Sequence, residues 1–120
     1  MENARNLFRK FQEELIDTAA DAPAVARNYL SQTCSCHGPH PIQEQRGPDE
    51  FAEHFWRPLS AAFHSLRRQD DILVQGQSNG QTWVASTGHY EGIFHRDWLG
   101  IPASGKPARL RFGEFARYEG

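Results

Sequence analysis

Long apolar runs are missing from this chain: no stretch of its 120 residues approaches the roughly 20 apolar positions that a membrane-spanning helix needs. The N-terminal text MENARNLFRKFQEEL carries charge but no apolar core, so it does not read as a secretory signal, and the expected compartment is the cytoplasm. Cysteine is scarce. Cys34 and Cys36, one residue apart, make no disulfide framework, and bridging them is geometrically awkward, so both are expected as reduced thiols. An excess of one charge is lacking too: 13 Lys and Arg stand against 15 Asp and Glu, for a net charge of -2, and the basic residues are scattered. That leaves no electrostatic footprint for nucleic acid or an anionic membrane, and neither is expected as a partner. The loop GIPASGK does not have phosphate-loop spacing, and there is no internal repeat.

Four potential metal ligands, Cys34, Cys36, His37 and His40, fall within seven residues. Structural zinc sites take cysteine pairs two to four residues apart and a second pair from a distant segment, whereas Cys-x-Cys followed at once by His strains a tetrahedral shell. Neither a metal nor another cofactor is expected.

What the chain does have is aromatic rings: eight Phe, three Tyr and three Trp in a sequence that is 38% hydrophobic. This predicts one globular domain over residues 1–120 with a ring-rich interior. Leu7, Phe8, Phe11 and Leu15 keep the one-face spacing of a helix over residues 3–17. Asp21 and Pro23 predict the start of a second helix, with Val25, Ala26, Tyr29 and Leu30 on one side. Residues 31–47 lose periodicity, with one short strand before Gly38. A helix capped by Asp49 is expected to carry Phe51, Phe55, Leu59, Ala62, Phe63 and Leu66 at helical spacing and to kink or restart at Pro58. Arg67, Arg68, Asp70 and Asp71 then read as a solvated corner between helix and strand. A short strand over 70–78 and the Asn79-Gly80 turn lead into a second strand, TWVASTGHY. The long connection 92–106 is expected to fold back as a pocket rim, and residues 107–119 complete a three-stranded meander in an α+β arrangement.

Alternation places Leu110, Phe112, Glu114, Ala116 and Tyr118 on one face of the last strand, and a carboxylate on an apolar face needs a reason. On the preceding strand Trp83, Ala85, Thr87, His89 and Glu91 share a face. If both faces look inward, His89 and Glu114 form an acid/base pair for a substrate with an enolisable carbonyl. The plainer alternative pairs Glu114 with Arg109, Arg111 or Arg117 and leaves His89 as a satisfied structural histidine. Phe55, Trp83, Thr87, Phe94, Trp98 and Phe112 are the expected ligand contacts, although rings at helical spacing are more often plain core.

The run TGHYEGIFHRDWLGIPASGKPARLRFGEFARYEG resembles the SnoaL-like polyketide cyclase family of the nuclear-transport-factor-2-like superfamily, through Thr87, Gly88, His89, Gly92, Gly100, Ile101, Pro102, Gly105 and Lys106. The resemblance extends more weakly to about residue 38, and it implies that His40 lies at the mouth of the pocket as a further ligand contact. It implies a curved antiparallel sheet wrapped by N-terminal helices into a cystatin-like cone, a small hydrophobic or polyketide-like ligand and, often, a homodimer. It also implies cofactor-independent cyclisation or isomerisation in some members, and a non-catalytic ligand-binding or dimerisation domain is the alternative. The family pattern continues past the acidic-Gly turn to further strands and an acid/base aspartate, so a domain lacking its last strands is expected.

Overall fold

The computed structural model describes residues 3–17, 21–37 and 44–118. Helix α1 (Ala4–Asp17) buries Phe8, Phe11 and Leu15 of the expected stripe together with Ala4 and Gln12, while Leu7 is only half-buried. Helix α2 (Ala22–Tyr29) follows Asp21, whose side chain makes no capping bond, and buries Ala22, Val25 and Ala26. Strands β1 (Ser35–His37) and β2 (Glu44–Arg46) pair antiparallel as a small sheet of their own.

The next helix runs continuously over residues 47–62 in three parts, α3 (Gly47–Glu50), a wide π-type turn (Phe51–Trp56) and α4 (Arg57–Ala62). Pro58 has no N–H to give to the residue four positions back, and the wide turn just before it changes the bonding register so that the helix passes the proline. The helix ends earlier than its apolar spacing predicts. Phe63 and Leu66 belong instead to β3 (Phe63–Ser78), a strand longer than expected, and both meet the core because an irregularity between His64 and Arg67 shifts the alternation between them.

The β3 strand pairs antiparallel with β4 (Gln81–Phe94), and β4 with β5 (Pro107–Tyr118). Asn79 and Gly80, at φ of 54° and 76°, close the first hairpin, as the dipeptide predicts. Two irregularities bend β3, one between His64 and Arg67 and one between Asp70 and Ile72. The first contains Ser65 at φ 53°. The second brings β3 so close to β4 that a Cβ on Gly88 would lie 1.9 Å from the Gln69 carbonyl oxygen, so only glycine fits there. These bulges curve the sheet around the helices. Phe11, Leu15, Val25, Ala26, Ala52, Trp56, Leu59, Phe63, Tyr90 and Phe94 form the core between helices and concave face. No helix among the described residues is long and apolar enough to cross a membrane.

Candidate functional site

Register decides which side chains meet. Val84 faces Ala116, Ser86 faces Glu114 and Tyr90 faces both Leu110 and Arg68 across the two ladders. Side chains directly opposite share a face, so Arg68, Asp70, Ser86, Tyr90, Phe112 and Glu114 all project onto the concave side, where α1 covers them. Arg68 is the centre. Its side chain is only 3% exposed. Nε and Nη2 donate to the two oxygens of Asp70 at 3.0 and 3.1 Å, and Nη1 donates to Glu114 Oε1 at 2.7 Å, Tyr90 Oη at 2.8 Å and Gln12 Oε1 at 2.9 Å. Ser86 Oγ donates to Asp70 in turn. The guanidinium lies 4.0 Å from the centroid of the Phe112 ring, with Tyr90 and Phe8 at 5.4 and 5.5 Å. This corrects the expectation of a solvated corner at Arg68 and Asp70: the bulges turn both residues inward, and two carboxylates make burial of the cation tolerable.

Electrostatics follow from that packing. Burial acts to lower the Arg68 pKa, but the bonds to Asp70 and the nearby Tyr90 and Glu114 outweigh it, and the group stays protonated. Partial burial would raise Asp70, yet the hydrogen bonds from Arg68 and Ser86 and the Arg68 charge hold its carboxyl below the usual value. Burial, aided by the Glu114 charge, pushes the Tyr90 hydroxyl well above its usual pKa, so it remains a proton donor at neutral pH. Glu114 is the more exposed of the two carboxylates, its side chain 31% exposed against 22% for Asp70 and 3% for Arg68.

Two neighbours complete the site. Trp56, in the wide helical turn, is 1% exposed, and its ring centroid lies 6.2 Å from that of Tyr90; its Nε1–H has no hydrogen-bond partner among the described residues. An orphaned buried donor costs about 1–3 kcal/mol, so it stands out. Burial, then the nearby Cys34 and the Glu114 charge push the Cys36 thiol up to about 12. Both cysteines are free thiols. His40, expected as a ligand contact, lies outside the described residues. Among the described residues no three His, Cys, Asp or Glu side chains are grouped to hold a metal ion.

The structure divides the sequence-derived site between two faces. Glu114, Phe112 and Phe94 are on the concave side, and Phe55 packs against the core next to Phe51. Trp98 folds back edge-on against Phe63, so the 92–106 connection does close over an aromatic. His89, Trp83 and Thr87 lie on the outer face. His89 pairs with Arg111, one position out of phase with Glu114, and the sheet separates the two side chains. Although buried at 8% exposure, it pairs instead with Glu91 at 3.0 Å and Asp71 at 3.5 Å, in a network in which Arg67 and Arg109 also hold Glu91. Gln12, Arg68, Asp70, Ser86 and Tyr90 take the place of His89 around Glu114. Gly88 was the one available sign of them, since a glycine inside a strand marks a bulge or a close approach.

No family model matches the sequence, and no curated protein matches it at a significant level. Solved structures do. A SnoaL-like polyketide cyclase candidate from Jannaschia sp. CCS1 superposes with a TM-score of 0.67 at 17% identity, over 99% of this chain and 82% of its own. A candidate polyketide cyclase from Pseudomonas putida KT2440 gives 0.66 at 22% identity, over 99% and 84%. A nuclear transport factor 2-like superfamily protein from Salmonella enterica serovar Typhimurium LT2 gives 0.64 at 17% identity, over 92% and 75%. The helix-wrapped, bulged antiparallel sheet of this chain therefore has the fold of these SnoaL-like and nuclear-transport-factor-2-like structures.

Proposed function

We propose that the concave face binds a small, mostly apolar carbonyl compound and moves a proton on it without a cofactor, in a cyclisation or isomerisation. One observation carries this reading: a reachable carboxylate, Glu114, shares a guanidinium nitrogen with the Tyr90 hydroxyl on a wall of aromatic rings. Held at 2.7 and 2.8 Å from the same atom, the two oxygens lie close together, as an acid/base pair must. Glu114 would take the proton from the carbon beside the carbonyl. The Tyr90 O–H and the unpaired Trp56 N–H would donate to the developing enolate oxygen. The proton then returns from Glu114 at another carbon, or the enolate carbon attacks a second carbonyl and closes a ring, and the alkoxide so formed takes the proton back from Glu114. The cyclase names of the structural neighbours are consistent with this chemistry.

The test is hydrogen exchange. Incubated in D2O with β-polyketones and ketosteroid-like ketones, the protein is expected to speed deuterium incorporation next to the carbonyl above the buffer rate. No acceleration with any of them would leave the concave face a binding site without catalysis.

A second role in the same domain has its own support. The outer face carries Ile72, Val74 and Phe115 at 57%, 51% and 79% exposure beside Trp83 and Ala85, along a groove of about 510 Å³. The Arg67, Glu91, Arg109, His89 and Asp71 network, with both signs of charge, lies farther along the same face, away from the Asn79-Gly80 turn. A surface with both signs can pair with its own two-fold copy, and standard strand spacings give the sheet ~600 Å², near the ~800 Å² per partner of a stable interface. We place a homodimer there. Phe115→Asp is expected to turn a dimer into a monomer by light scattering; a monomeric parent protein would contradict the assignment. The free thiols fit a reducing compartment such as the cytoplasm.

A further inference from the structure

We infer that the concave site takes an uncharged or amine-bearing molecule and discriminates against carboxylate-bearing ones; this rests on the reading of that face as a ligand site. A buried arginine on a ligand-binding face invites the opposite conclusion, an anion clamp. The geometry removes that option. Nε and one Nη2 hydrogen are spent on the two oxygens of Asp70, Nη1 divides two hydrogens among Glu114, Tyr90 and Gln12, and the single Nη2 hydrogen left over is buried with the group at 3% exposure. Phe112 stacks against the guanidinium at 4.0 Å, and Phe8 and Tyr90 close in at 5.5 and 5.4 Å. An incoming carboxylate thus meets no open fork of N–H donors.

Charge points the same way. The cluster holds one guanidinium against two carboxylates, which leaves a negative charge in excess. Arg9 acts on Asp70 from the exposed side of α1 and is screened by water. The reachable end of the cluster is Glu114, 31% exposed against 3% for Arg68, so a ligand entering the cone meets the anion before the cation. The donors left for a ligand oxygen, the Tyr90 hydroxyl and the Trp56 indole, are both neutral. Neutral donors suit a ketone oxygen, and the Glu114 carboxylate suits an ammonium group.

Three matched naphthalene probes test this at pH 7: 2-acetylnaphthalene, 1-(2-naphthyl)ethylamine and 2-naphthoate, titrated against the wild-type chain and Glu114→Gln, with the Trp56 indole signal as the reporter. The carboxylate is expected to bind at least ~10-fold more weakly than the ketone, a size typical of one poorly screened like-charge contact, and Glu114→Gln should narrow that gap to ~3-fold or less. Naphthoate binding as tightly as the ketone, with both moving Trp56, would overturn the charge preference and leave the ligand site standing. A gap unchanged in Glu114→Gln would also overturn it. If no probe moves Trp56, the ligand site itself fails and the inference falls with it.

Discussion

Replacing Arg68 with leucine is expected to lower the folding free energy by about 3–5 kcal/mol, a large part of what a domain of this size has. Leucine fills much of the space but leaves Asp70 and Glu114 facing one another without the cation that holds both, and it removes a donor to Tyr90 and Gln12. Urea unfolding of Arg68→Leu reads the loss. Adding Asp70→Asn and Glu114→Gln should restore a substantial part of it, since the damage is unpaired charge rather than lost volume. A loss below about 1 kcal/mol would mean that the cluster contributes little to the fold. The same couple has an acid-side signature. The folded Asp70 carboxyl titrates below its unfolded value of about 3.9, so the unfolded chain binds more protons between the two. The stabilisation is present above about pH 4 and is lost as pH falls through the folded value, and Asp70→Asn should flatten that slope.

Glu114→Gln is the substitution with the largest expected effect on chemistry. The amide oxygen can still accept from Arg68 Nη1, so the fold and the aromatic wall should persist, while the proton acceptor is gone. Deuterium exchange on a ketone that the wild type accelerates is expected to fall by about 10²–10⁴-fold, with the affinity for 2-acetylnaphthalene nearly unchanged. Removing His89 separates this reading from the one that sequence alternation favours. His89→Ala lies on the outer face, among Asp71 and Glu91, and should leave the exchange rate alone.

The helices, the Asn79-Gly80 hairpin and the inward face of β5 were legible because each is a local pattern with its own turn or period. The β4 strand was not. Trp83 and Ala85 make one of its faces look apolar, while Val84, Tyr90 and Phe94 do the same for the other, and alternation alone cannot choose between them. Counting outward from the turn pairs Val74 with Ala85 correctly, but the irregularity between Asp70 and Ile72 then shifts the ladder by one, and that shift sets Arg68 against Tyr90. Taking the Trp83 face of β4 as the inner one, a slip of one residue in the alternation, made His89 the apparent partner of Glu114. Arg68 was hidden for a related reason: among Arg67, Asp70 and Asp71 it reads as surface, and only the bulged strand turns it under α1. The SnoaL-like resemblance survived because a fold tolerates a slip that a site does not.

The central claim is that the ligand enters the concave side, at Glu114, Tyr90 and Trp56, and not the outer groove beside Trp83. The three tryptophans make this readable, because each indole N–H gives its own signal in a nitrogen–proton spectrum, assignable by replacing one ring at a time with phenylalanine. On titration with 2-acetylnaphthalene the Trp56 signal should move downfield as its orphaned N–H gains an acceptor, while that of Trp83 stays in place. Movement of Trp83 with Trp56 unchanged would put the ligand on the outer face and contradict the site described above.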